Sequence, residues 1–127
     1  MGALETLGQE TTQDILIVED EPALRGMLAE LLSSRGYSVA TCGNGEEAIS
    51  FLSENVPPRL ILLDLMMPVM SGWELRDNML SNPKWRDIPV AVVSALDDVP
   101  RTLKFVAYIG KPIDVGRLFA VVTEYCD

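Results

Sequence analysis

"LILLDLMMP", Leu60–Pro68, runs four aliphatic residues together and then places an aspartate, Asp64, directly after Leu63. A short apolar run of this kind reads as a strand buried on both faces. Ending it in a carboxylate is costly unless something positive meets the charge, because an unpaired buried carboxylate loses several kcal/mol of hydration. Either Asp64 escapes to solvent at the strand end, or a cation waits for it there.

The same strand signal recurs along the chain. "ILIV" (Ile15–Val18) is closed by Glu19 and Asp20. Pro22 then opens a helix in which Leu24, Met27, Leu28, Leu31 and Leu32 keep helical spacing until Gly36 stops it. "YSVAT" (Tyr37–Thr41) reads as a second strand, and a turn over "GNG" leads into a helix carrying Ala48, Phe51 and Leu52. After the Leu60–Leu63 strand, Pro68 and Gly72 interrupt the chain before a helix from about Trp73 to Leu80. "IPVAVVS" (Ile88–Ser94) is the fourth strand, with its proline at the entry, where a missing donor is tolerated. Asp97–Lys104 leaves room for one or two helical turns, "FVAYI" (Phe105–Ile109) is the fifth strand, and Val115, Leu118, Val122 and Tyr125 share a final helical face. Apolar strands alternating with amphipathic helices specify an α/β fold, a doubly wound parallel sheet covered on both sides. Right-handed crossovers connect such strands.

Composition narrows the function. The chain has 127 residues, 48% of them hydrophobic, which suits one globular domain. Residues 1–12 carry no sustained period and read as a flexible leader, leaving 13–127 as the domain. Ten basic residues against nineteen acidic ones give a net charge of -9, and no basic run exists to neutralise phosphates, so direct nucleic-acid binding is not expected. No apolar stretch approaches a membrane span. The two cysteines, Cys42 and Cys126, have no ligand-like spacing and fit a reducing cytoplasm. Histidine is absent, which removes His-based triads, His-ligated zinc and an internal phosphohistidine relay.

Ligands of open α/β sheets bind beyond the carboxyl ends of the strands. Strand one ends in Glu19 and Asp20, strand three in Asp64, strand four in Ser94, and strand five leads through Gly110 to Lys111. Three carboxylates so placed repel one another unless a cation relieves them. Magnesium suits such oxygen ligands, with manganese as a substitute. Lys111 can pair with a carboxylate or a phosphoryl group, Ser94 can donate to an anionic oxygen, and Asp64 can attack phosphorus. Any one of these acids alone reads more readily as a solvated strand end or a helix cap. Convergence on one edge is the stronger signal. Pro112 would fix the loop that carries Lys111, and a cis bond is open to it.

The assembled motifs "ILIVEDE", "GYSVATCGNGEEA", "LILLDLMMPVMSGWEL", "IPVAVVSA" and "YIGKP" resemble, in order and over residues 14 to 125, the receiver domain of bacterial two-component response regulators. That resemblance implies a flavodoxin-like sheet of strand order 2-1-3-4-5. It implies Asp64 as phosphoacceptor, and magnesium held by Glu19, Asp20, Asp64 and the backbone carbonyl of Met66. Ser94 is the implied hydroxyl that engages the phosphoryl group, Lys111 the implied lysine, and Tyr108 the aromatic that swings inward on activation. A core aromatic and a strand-end hydroxyl bonded to backbone are the plainer readings of Tyr108 and Ser94. The implied phosphoryl donor is a phosphohistidine on a histidine kinase or histidine phosphotransfer protein, acting in trans, with a downstream protein target that the motifs leave unspecified. Met66 and Leu96 fall where the family flanks the phosphoryl group, and their apolar side chains offer water no hydrogen bond, which predicts a long-lived acyl phosphate.

One departure stands out. Sixteen residues separate Ser94 from Lys111, over a helical turn fewer than the family pattern. The fourth helix, between strands four and five, is therefore expected to be shortened, which leaves homodimerisation and Ser94–Tyr108 coupling open. The alternatives to a phosphorylation-dependent switch are a pseudo-receiver that binds partners without phosphotransfer and an aspartyl-phosphate, metal-dependent phosphohydrolase. The receiver reading implies self-modification in place of enzymatic turnover.

Overall fold

The computed structural model describes residues 13–96, 99 and 103–127. Five strands form one parallel sheet in the order β2-β1-β3-β4-β5: β1 Ile15–Val18, β2 Val39–Cys42, β3 Leu60–Asp64, β4 Val90–Ser94 and β5 Ala107–Gly110. Among the described residues four α-helices pack on it: α1 Pro22–Ser34, α2 Gly45–Glu54, α3 Gly72–Leu80 and α4 Val115–Cys126. Fold class and strand order are those expected from the sequence and the resemblance. The expected leader, residues 1–12, lies outside the described residues, as does most of the 97–104 segment assigned the shortened helix. The helix after β5 is consequently α4 here.

Strand β3 runs through the middle of the sheet, between β1 and β4. Leu60, Ile61, Leu62 and Leu63 are each at most 1% exposed, and burial of such side chains contributes roughly 1.5–3 kcal/mol apiece. Alternation sends them to two cores. Ile61 and Leu63 join Leu16, Val18, Val90, Val92 and the α2–α3 layer, with Tyr108 packed against it. Leu60 and Leu62 join Ile15, Ile17, Val93, Ile109 and the α1–α4 layer. In register, Val18 lies beside Leu63 and Leu63 beside Val92, so the strand ends finish together and put their following residues along one edge.

Two elements start later than the sequence suggests. Strand β2 begins at Val39, because the Ser38 amide and hydroxyl are taken up by Asp14. The Tyr37 hydroxyl donates to Asp127 instead. Strand β5 begins at Ala107, two residues after Phe105. Conversely, Gly72 belongs to α3 as its first residue. Ser71 caps that helix, accepting from Glu74 N while Glu74 Oε1 accepts from Ser71 N, a reciprocal capping box.

Candidate phosphoacceptor site

The carboxyl edge of β1, β3 and β5 gathers the acids. Asp64, the last residue of β3, is 3% exposed, and Glu19, just beyond β1, is 2% exposed. Glu19, Asp20 and Asp64 each place a carboxylate oxygen within 4.8 Å of the others. Lys111, one residue past β5, reaches across: its Nζ is 3.1 Å from Glu19 Oε1 and 3.6 Å from Asp64 Oδ2. The Lys111 amide donates to the Ser94 carbonyl at 2.9 Å, which sets the lysine's place at the edge. The Lys111–Pro112 bond is cis.

The charges do not balance. Burial first, and then the Glu19 carboxylate, raise the Asp64 pKa to about 7, against the opposing pull of the Met66 amide and the Lys111 ammonium. For Lys111, burial works against the charge, but the Glu19 and Asp64 carboxylates outweigh it and raise its pKa. Glu19 Oε1 is buried and, among the described residues, meets only the Lys111 ammonium, at 3.1 Å. Three clustered carboxylates facing a single ammonium make a hard, oxygen-only donor set short of positive charge, and they fit magnesium. Thiols offer nothing comparable here, since burial pushes both Cys42 and Cys126 up to about 11.

The other expected residues lie close by. The Met66 amide donates to Asp64 Oδ1 at 3.2 Å, so this carboxylate is held by the backbone of its own loop. The Met66 side chain is 60% exposed above the site. Ser94 is fully buried and its hydroxyl accepts from the Leu96 amide at 3.1 Å, the local backbone bond of the plainer reading. Tyr108 is half-buried, and its hydroxyl donates to the carbonyls of Ser94 and Leu96. Ser94, Leu96 and Tyr108 are thus one hydrogen-bonded group. Ser94 continues the Val90–Val92 side of β4, whereas Asp64 continues the Leu60–Leu62 side of β3.

Three features escaped the sequence. Gly72 is needed for close approach, since a Cβ there would lie 2.4 Å from the Asp64 carbonyl oxygen. The S-x-x-E signature of Ser71–Glu74 could have shown where α3 begins. Arg76, on α3, is only 5% exposed and donates to the carbonyls of Leu103 (3.2 Å) and Lys104 (3.0 and 2.7 Å). Nothing in local periodicity announces a buried arginine on that face.

An aspartate-centred acidic cluster with a lysine, at the carboxyl edge of a 2-1-3-4-5 parallel sheet, defines a phosphoacceptor signalling domain. The chain belongs to the response regulator receiver domain family, whose model matches residues 15–123. It is 34% identical to an uncharacterized 14.6 kDa protein in the sodA1 3' region of Leptolyngbya boryana, over 97% of this chain and 95% of that protein. Some further curated relatives are longer, and the chain spans about a third of the length of two of them. Among solved structures it resembles the signal receiver domain of a signal transduction histidine kinase from Syntrophus aciditrophicus, with TM-score 0.81 and 34% identity over 91% of this chain and 90% of that one. It also resembles the response regulator TrrA of Thermotoga maritima, solved in complex with Mg(2+)-BeF, with TM-score 0.76 and 31% identity over 90% and 99% of the two chains. Among the described residues no helix is long and apolar enough to cross a membrane.

Proposed function

We propose that residues 13–127 act as a phosphorylation-dependent switch, with Asp64 accepting a phosphoryl group from a phosphohistidine of a kinase or phosphotransfer protein. The observation that carries this reading is the Asp64 carboxylate itself, buried between Glu19 and Lys111 where a solvated strand-end acid would not be. In the step, an Asp64 carboxylate oxygen bonds to phosphorus as the P–N bond to the donor imidazole breaks, and the released ring nitrogen takes a proton from solvent. Lys111 pairs with the charge that accumulates on the phosphoryl oxygens. Glu19, Asp20, Asp64 and the Met66 carbonyl would hold Mg2+, or Mn2+ in its place, which supplies further positive charge beside those oxygens. The Mg(2+)-BeF complex of TrrA supports this assignment. Ser94 would leave the Leu96 amide for a phosphoryl oxygen, and the Tyr108 hydroxyl, bonded to the Ser94 and Leu96 carbonyls, would shift with that segment. Two free, buried cysteines suit a cytoplasmic setting.

Incubation with acetyl phosphate and Mg2+ tests the reading. One acid-stable, base-labile phosphoryl adduct is expected by intact mass on the wild type and none on Asp64→Asn. No wild-type adduct would leave a pseudo-receiver, a partner-binding module without phosphotransfer. The exposed Met66 and the half-buried Leu96 should protect the adduct from water. Replacing Met66 by Asn should shorten its half-life several-fold; an unchanged decay would remove that role.

A further inference from the structure

The turn that carries two of the three acids is only Glu19–Glu21, between the end of β1 and the start of α1. Within it the Glu21 amide donates to Glu19 Oε2 at 3.2 Å, and the start of the helix adds little more. Glu21, the N-cap, makes no side-chain cap bond, and Pro22 has no amide to give. Arg25, in the first turn of α1, takes up the task. Its backbone amide donates to the Glu21 carbonyl at 2.9 Å, its Nη1 donates to the Glu19 carbonyl at 2.9 Å, and the same nitrogen lies 3.5 Å from the Asp20 carbonyl. One residue therefore addresses three consecutive carbonyls of the acid-bearing turn.

A guanidinium at this position needs a reason. Cations are mildly disfavoured at the positive N-terminal end of a helix dipole, so the helix itself gives Arg25 no reason to sit in this turn. An opposite charge lies nearby on α2. Glu47 accepts from the Gly43 amide at 2.7 Å. A Cβ on Gly43 would sit 3.3 Å from Arg25 Nη1 and 3.5 Å from Glu47 Oε1, so the two opposite charges flank the same glycine. The Glu19 amide is anchored beside them on the Cys42 carbonyl at 3.0 Å.

We infer that Arg25 is a positioning residue for the magnesium site, locking the Glu19–Asp20 turn from behind so that both carboxylates are presented together. The inference rests on the metal-site reading above. Two effects of the guanidinium oppose each other. Its charge repels a bound cation, but it is half-exposed and solvent screens it. Fixing the ligands acts directly, and outer partners of metal ligands typically change affinity about 10–100-fold when lost. Positioning should win.

The test is Mg2+ titration by calorimetry, with melting temperatures recorded in EDTA. Arg25→Ala should weaken Mg2+ binding about tenfold while leaving the metal-free melting temperature nearly unchanged. Arg25→Gln, which keeps a donor without the charge, should recover most of that loss. Gly43→Ala retains every charge but crowds Nη1, and should weaken Mg2+ binding several-fold. Wild-type affinity in both Arg25→Ala and Gly43→Ala, or tighter binding in Arg25→Ala, would overturn the inference. Should Arg25→Ala melt much earlier in EDTA, Gly43→Ala and Arg25→Gln decide it. Failure of the wild type to bind Mg2+ at all would instead overturn the metal-site reading beneath it.

Discussion

The acid edge and the connection between β4 and β5 each draw a cation inward, and they satisfy it in different ways. Lys111 meets two carboxylates, whose charges more than offset the cost of its burial. Arg76 is buried more deeply, yet its partners among the described residues are the Leu103 and Lys104 carbonyls. Burial lowers its pKa, and its Nη1 has no hydrogen-bond partner among the described residues. Carbonyl dipoles neutralise no charge. They can only orient the guanidinium and be held by it. The first region is therefore an electrostatic device sensitive to pH and metal, and the second is a mechanical tie between α3 and the chain entering β5.

The sharpest way to break this contrast is to remove Lys111. Lys111→Met should slow acetyl-phosphate labelling at least about 100-fold, the usual loss when one preorganised charge at a reacting centre is deleted. Arg76→Met should leave the labelling rate within about twofold, since it lies outside the carboxylate cluster. Equal defects in the two variants would merge regions that the geometry separates.

Next in size is the pH dependence of the metal-free protein. The folded Asp64 pKa, raised to about 7, exceeds its ordinary value near 3.8. Below pH 4 both folded and unfolded chains are protonated there. Between pH 4 and 7 the unfolded chain has released the proton while the folded one retains it, so stability falls as pH rises through that window. Melting temperature in EDTA should drop by several degrees from pH 5 to 7.5, and Mg2+ at pH 7.5 should restore it. Asp64→Asn should flatten the slope. A slope unchanged in that variant would place the responsible group elsewhere.

The smallest effect is purely conformational. Arg76→Met keeps much of the apolar stem but leaves the Leu103 and Lys104 carbonyls without their donor. Denaturant titration should show a loss of about 1–3 kcal/mol, the cost of unpaired buried polar groups. Its Mg2+ affinity should match the wild type.

Much of the acid edge is legible in the sequence alone, because strand ends are one-dimensional information. Runs such as Ile15–Val18 and Leu60–Leu63 show where strands stop, and a parallel sheet aligns those stops, so Glu19, Asp20, Asp64 and Lys111 fall together without further knowledge. The side on which each residue leaves its strand was harder to read. Asp64 shares parity with Leu60 and Leu62, and Ser94 with Val90 and Val92, but only the register between strands tells which layer each parity meets. Arg25 and Arg76 were missed for a related reason. Both act on carbonyl oxygens, and every residue has one, so sequence carries no mark of the acceptor. The start of β2 was misplaced because the Asp14–Ser38 bonds compete with strand pairing at a position where composition favours the strand.

The tight passage between Asp64 and Gly72 has a mechanical consequence. The Gly72 amide donates to the Leu65 carbonyl at 3.1 Å, and no side chain fits between Gly72 and the Asp64 carbonyl, so the end of β3 and the head of α3 behave as one joint. A nine-residue helix is a lever about 13 Å long, and a tilt of about 4° at its pivot carries the far end about 1 Å. Arg76 sits midway along that lever with its grip on Leu103 and Lys104. A small rotation at the end of β3 is thereby coupled, through the Arg76 side chain, to the chain that enters the outermost strand of the sheet.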